Sequence, residues 1–388
     1  MRVLIAPEAF GATLGATQAA AAIAAGWAVG APHDRIHTHP LGSGGPGLLD
    51  VLAPAVAGRS VALTVSDPLS RPVPAEVLLA ETGGQRTAYL DASQAAGLHL
   101  LAADERDPAL TSSWGVGELI AAALSEGATR IVVGIDSLAT NDGGAGALGA
   151  LGAGPAEHLA RGGTALAAAP AHALAGLAEV ATRFADTDLV VLTRSEGVLL
   201  GLSGTSALES PDRGASPATA QALEGALGHF ADLVRRAGPV RVDLLTGMPR
   251  RLDREPGAGA GGGLGYGLML LGARRAAGAP EVLRLTGFGA ALARHDLVVT
   301  GTGTLDGQAL RGSVVAEVAG AALGAGVPSV ALAGEACVGR RELMALGLSG
   351  SYALAEHPGT VGEVLADPVG HLTERAARVA RTWSPRRS

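Results

Sequence analysis

The densest run of residues able to handle a charged ligand is 131–152, IVVGIDSLATNDGGAGALGALG. It sets Thr140, Asn141 and Asp142 directly before the flexible pair Gly143-Gly144, with Asp136 shortly upstream. The β-branched run Ile131-Val132-Val133 in front reads as a buried strand, and the Ala/Leu/Gly run behind reads as a helix. A strand, a polar glycine turn and a helix start can together hold an anion at the carboxyl end of a sheet. Backbone N–H groups point at the ligand, and glycines let them come close. The same pattern also describes an ordinary strand–turn–helix corner in which Asn141 or Asp142 caps the helix.

Other chemistry-bearing residues fall at similar punctuation. Glu8 follows a short strand over 3–6. Residues 41–47, LGSGGPG, make a second glycine turn carrying Gly44 and Gly45 before a helix over 48–56. Asp306 lies in the loop 301–312 after a strand over 296–300, where ligand sites of α/β proteins lie. Asp136 and Glu335 are further acids at strand ends; the preferred reading for both is a solvated loop acid. Residues 256–267 contain seven glycines. They either cradle phosphates through N–H groups or form a hinge with tight packing, and packing is the preferred reading.

The elements that must position these residues alternate along the chain. The patterns predict helices over 17–27 with Thr17 as N-cap, 116–124 capped by Ser113, 218–237, 289–294, 313–323 and 361–381. Strands are predicted over 188–192, 329–333 and 352–354. Segments 61–66, 75–80 and 87–90, bounded by Pro68, Pro72 and Gly83-Gly84, belong to a different, mixed sheet. A parallel α/β rhythm thus occupies both ends of the chain and mixed-sheet signals its middle.

A chain of 388 residues has room for two domains. Only 17% of residues are charged, too few for disorder, and aromatics at 3% leave the core to Ala, Leu and Val. The net charge of −7, with no dense basic stripe before the C-terminal tail, argues against a nucleic-acid partner. The single cysteine, Cys337, excludes an intramolecular disulfide framework and a cysteine zinc site; it is expected as a buried or half-buried thiol. His33, His37 and His39 share a strand-face spacing without nearby acids and read as surface residues. No apolar run is long enough to span a membrane, and the N-terminus reads as a first strand. The expectation is a cytoplasmic protein without a membrane partner.

The order of these motifs resembles the bacterial glycerate kinases over roughly residues 1–375. The resemblance rests on IAPEAF at 5–10, the Gly44-Gly45 turn, Thr111-Ser112 with residues 115–120, ATNDGGAG at 139–146, the glycines of 256–265, and Leu305-Asp306-Gly307-Gln308. It implies a Rossmann-like parallel-sheet domain, residues 1–60 and 285–388, and an inserted second α/β domain with a mixed sheet, residues 61–284. The active site would lie in the cleft between them. It further implies ATP-dependent phosphorylation of D-glycerate or a related small hydroxy acid, with Mg²⁺. Asp142 and Asp306 would be the catalytic and metal-binding acids. Glu8, Gly44, Gly45, Thr140, Asn141, Gly143, Gly144 and Gln308 would bind substrate or phosphate.

The chain departs from the family in one direction. A lysine is replaced at Gly11, acids at Ser43 and Pro46, and a Glu, an Arg and a Lys at Thr302, Thr304 and Ser313. The family's DVDNPL reads Thr193-Arg194-Ser195-Glu196-Gly197-Val198. Phosphoryl transfer depends on cations set against phosphate oxygens, so the resemblance carries two implications. Either Arg194, Arg213 or Arg311 restores positive charge to the cleft of Gly44-Gly45, Asp142 and Asp306, or the chain is a catalytically degenerate member that binds a ligand or partner.

Overall fold

The computed structural model describes residues 1–11, 13–82, 84–237, 247, 250–307 and 309–385. Gln308 therefore lies outside the described residues. The strands are β1 (Arg2–Ile5), β2 (Arg35–Thr38), β3 (Gly58–Ser66), β4 (Pro72–Thr82), β5 (Gln85–Asp91), β6 (Arg130–Gly134), β7 (Asp188–Thr193), β8 (Arg274–Ala277), β9 (Leu297–Leu305), β10 (Ser329–Ala336) and β11 (Gly350–Ala353). Two compact units result, one of residues 1–43, 50–56 and 277–388, the other of 44–49 and 57–276. The borders expected at 60 and 285 differ from these at the short excursion 44–49, at 57–60 and at 277–284.

The first unit carries a five-stranded parallel sheet in the order β11-β10-β9-β1-β2. Val3, Ile5, Leu297, Val299, Val330 and Leu332 point to one face and pack with Ile23, Trp27 and Leu372. Ala331, Ala333 and Leu305 point to the other and pack with Val315 and Leu343. Both faces are covered, which is why these strands read as continuous apolar runs. Strand order reverses between β1 and β9, the kind of position where open α/β sheets bind ligands beyond the carboxyl ends.

Helix Ala16–Gly30 packs on helix Pro368–Trp383 through glycines. A Cβ on Gly26 would stand 2.1 Å from the Thr373 carbonyl oxygen, and one on Gly30 2.3 Å from that of Ala377. The cap is Gly15, whose N–H donates to Gln18 Oε1 at 3.2 Å, rather than Thr17. The helix expected over 361–381 is two helices, Val361–Ala366 and Pro368–Trp383. Asp367 accepts from the Gly370 N–H and Pro368 takes the first turn, which starts a new helix. β2 escapes sequence reading because RIHT offers only one apolar residue.

The second unit carries a six-stranded mixed sheet, β3-β4-β5-β6-β7-β8. β3, β4 and β5 pair antiparallel, and β5, β6 and β7 pair parallel. The expected α/β class, with one parallel and one mixed sheet, is what the chain forms. Its core joins Leu90, Ile131, Val133 and Val191 to Leu119, Ile120, Leu227 and Phe230 of the helices Trp114–Ser125 and Pro217–Ala237.

Candidate functional site

The turn after β6 is a closed piece of scaffold. Asp142 is fully buried and both its oxygens are used. Oδ2 accepts from the Ser113 N–H and Oγ–H at 2.8 Å each and from the Gly146 N–H at 3.2 Å; Oδ1 accepts from the Gly144 N–H at 3.0 Å. Burial pushes its pKa up, opposed by these four donors. Ser113 stands at the N-cap position of helix Trp114–Ser125, as expected, but its side chain bonds Asp142 rather than the helix's own N–H groups. Thr140 and Asn141 are equally buried. Asn141 donates to Ser206 Oγ at 3.1 Å and accepts from Arg213 Nη1 at 3.3 Å.

The glycines of 256–267 complete this scaffold. The Gly143 N–H donates to the Gly262 carbonyl at 3.0 Å. A Cβ on Gly262 would lie 1.7 Å from the Thr140 oxygen, and Gly262 has φ +70°. Backbone thus packs on backbone, and the preferred packing reading of this segment describes its observed contacts.

A second set of polar groups of this unit lies at the carboxyl ends of β5, β6 and β7. The Gly44-Gly45 turn sits over β6 and β7: a Cβ on Gly134 would meet the Gly44 oxygen at 2.4 Å, and one on Gly44 the Leu192 oxygen at 2.9 Å. Asp91, fully buried at the end of β5, holds the same turn. Its Oδ2 accepts from the Gly47 and Leu48 N–H groups at 2.9 and 3.3 Å, and its Oδ1 from Ser93. Burial pushes its pKa up to about 6.

Asp136 follows β6 beside this turn. Its Oδ1 accepts from Thr193 Oγ at 2.6 Å, and Arg194 Nε stands 3.9 Å from its Oδ2. Burial raises its pKa, the Thr193 bond and Arg194 lower it, and Glu209 raises it further. Ser137 next to it is exposed at φ +61°. A chain of contacts continues through Ser195 Oγ to Glu209 at 3.0 Å, and Glu209 takes a 2.6 Å bond from Arg213. Arg213 is buried and also donates to the Leu138 carbonyl at 2.8 Å, so its charge is consumed internally.

In the first unit, Glu8 follows β1 at the strand-order reversal, its N–H donating to the Gly301 carbonyl at 2.9 Å. Gly303 lets the following loop approach, since a Cβ there would stand 2.7 Å from the Gly11 nitrogen. Asp306 is half-buried and its Oδ1 accepts from the Ala309 N–H at 2.9 Å. Arg311 is exposed. Glu335 lies inside β10, opposite Thr304, and not in a loop.

The expected magnesium ligands do not form an all-protein cage. Asp142 spends its oxygens on four protein donors, and among the described residues no three His, Cys, Asp or Glu side chains converge on a point. Cys337 is exposed rather than buried, since it falls one residue beyond β10. His37 is exposed, as expected of a surface residue, and its Nδ1 lies 2.9 Å from Nε2 of His295, a partner distant in sequence. Asp91 carries no local motif, and Asp136 reads in sequence as a solvated loop acid. The available signal was position, an acid at the carboxyl end of each of two adjacent parallel strands. Among the described residues, no helix is long and apolar enough to cross a membrane.

A parallel sheet and a mixed sheet, each with glycine loops and acids at its strands' carboxyl ends, define a two-unit α/β protein. The chain belongs to the glycerate kinase family, whose model matches residues 3–384. It is 37% identical over 382 residues to an uncharacterised Mycobacterium bovis protein, covering 98% of this chain and 91% of that one. It is 34% identical to the glycerate kinase of Bacillus subtilis, covering 98% and 96%. A crystal structure from Salmonella typhimurium, assigned as a glycerate kinase 2, superposes with TM-score 0.73 at 31% identity, covering 99% of this chain and 98% of that one.

Proposed function

We propose that this protein transfers the γ-phosphoryl group of ATP to D-glycerate or a related small hydroxy acid, giving a phosphoglycerate and ADP. The observation that carries this reading is the match to the glycerate kinase family along residues 3–384. In this reading the segment Thr140, Asn141, Asp142, Gly143 and Gly144 acts as the frame that fixes the β6 carboxyl end. Gly44 and Gly45 bring backbone N–H groups to the ligand; Glu8 and Asp306 stand beyond β1 and β9 of the first unit. Magnesium arrives on the nucleotide's own phosphates, since Mg²⁺ is commonly held by one or two carboxylates plus substrate oxygens.

A second reading has an observation of its own. Asp142 of the central motif and Arg213, which bonds Asn141 of that motif, are both satisfied by protein groups. That arrangement suits a member that binds a hydroxy acid without turning it over. ADP release coupled to NADH oxidation, with D-glycerate and Mg·ATP against a blank lacking acceptor, separates the two. Glycerate-dependent ADP formation is expected. No release above the blank, with thermal stabilisation by glycerate in the absence of nucleotide, replaces the kinase reading with the binding one.

A further inference from the structure

The carboxyl end of β6 and β7 combines three features found together nowhere else among the residues discussed. First, Asp136 is a half-buried carboxylate whose side chain is 13% exposed, fixed by the 2.6 Å bond from Thr193. Second, Arg194 donates its backbone N–H to Asp136 Oδ2 at 3.3 Å, while its guanidinium, with 45% of the side chain exposed, stands 3.9 Å from the same oxygen, beyond hydrogen-bond length. The neighbouring arginines are committed: Arg213 to Leu138, Asn141 and Glu209, and Arg275 to the Ser195 carbonyl and Glu196. Third, Ser137 holds φ +61°, one of two non-glycine residues with positive φ among those described. A non-glycine residue in this region is strained, and such strain concentrates at functional sites. Gly45 faces the group with no bulk of its own: a Cβ there would meet only Asp136 Cβ at 3.5 Å and Ser137 Oγ at 3.9 Å.

A guanidinium fork beside a fixed carboxylate recognises a small molecule bearing an anion next to a hydroxyl. The fork takes a carboxylate with two parallel bonds, and the carboxylate takes a hydroxyl proton. We propose that Asp136, Ser137 and Arg194 form the acceptor pocket: Arg194 binds the carboxylate of the hydroxy acid, Ser137 orients it, and Asp136 is the general base. This assignment rests on the kinase reading for its chemistry but not for its binding. In the transfer step the acceptor hydroxyl gives its proton to Asp136 while its oxygen bonds to the γ-phosphorus of ATP. The bond from that phosphorus to the β-phosphate bridging oxygen breaks, and ADP leaves. Burial and Glu209 both push Asp136 toward holding a proton, which suits a base working nearer neutral pH than an ordinary aspartate.

Steady-state kinetics and calorimetry on the full chain test the assignment. Arg194→Ala is expected to raise the KM for glycerate about ten- to hundredfold, the worth of one charge-assisted contact, with the KM for ATP unchanged. Asp136→Asn is expected to lower kcat by about 10²-fold or more while glycerate still binds. Should Arg194→Ala fail to fold, Arg194→Lys is expected to raise the same KM by less, because it keeps the charge and loses the fork. An active enzyme in which the folded Arg194 variants keep the wild-type KM for glycerate overturns the pocket and leaves the kinase reading standing. An inactive wild type whose calorimetric binding of glycerate is lost in Arg194→Ala removes the kinase reading and supports the pocket. A wild type that neither turns over nor binds glycerate overturns both.

Discussion

Asp91 and Asp142 show how a buried carboxylate can look catalytic and be occupied elsewhere. Each accepts four hydrogen bonds from its own unit, and each fixes a glycine turn. Asp91 makes this measurable through pH. Its pKa is about 6 in the folded protein against 3.8 ordinarily, so between these values the folded state holds a proton that the unfolded state has lost. Stability from this group is therefore greatest below pH 4, falls as pH rises through 6, and is level above. At 1.36 kcal/mol per pH unit the loss is of order 3 kcal/mol. Urea unfolding of the wild type and Asp91→Asn at pH 4 and pH 7 checks it. The stability difference between them should shift against the wild type by a few kcal/mol on going to pH 7; a constant difference would show that Asp91 does not titrate in this range.

At the scale of elements, the glycine-rich segment is explained by contact rather than by flexibility. Gly262 has φ +70° and no space for a Cβ. Gly225, in the helix Pro217–Ala237, has ordinary helical backbone and nothing within 4 Å of where a Cβ would lie. Alanine should therefore act in opposite directions. Gly225→Ala should stabilise by about 0.5–1 kcal/mol through helix propensity. Gly262→Ala should destabilise by more than about 3 kcal/mol, adding backbone strain to a clash with the Thr140 carbonyl. Equal midpoints for the two variants in denaturant unfolding would contradict this account.

At the scale of the whole molecule, the two units differ in how far apart their pairing segments lie. The second is almost continuous, 57–276, whereas in the first β1 pairs with β9, and Arg2 bonds Asp296 across 294 residues. Closing that distance requires ordering the intervening chain or accepting a large loop entropy. Pulse-labelled hydrogen exchange during refolding should show amides of β5, β6 and β7 protected before those of β1 and β9. Simultaneous protection, or the reverse order, would refute this folding order.

The sequence by itself determined the α/β class, the mixed character of the middle sheet and the family. These follow from apolar periodicity and glycine punctuation, which are local and survive being read one residue at a time. It also placed Glu8 and Asp306 beyond strand ends and Gly44 and Gly45 in a turn before a helix. Only the tertiary structure decided which polar groups are satisfied internally and by what. Thr140, Asn141 and Asp142 look as open in sequence as Asp136, but donors from Ser113, Arg213 and the backbone close them. Arg213 and Arg194 read alike as relocated cations, and one is buried against Glu209 while the other is half exposed. Hydrogen-bond satisfaction is set by partners tens of residues away, so no local pattern records it. His37 and His295 meet across 258 residues for the same reason.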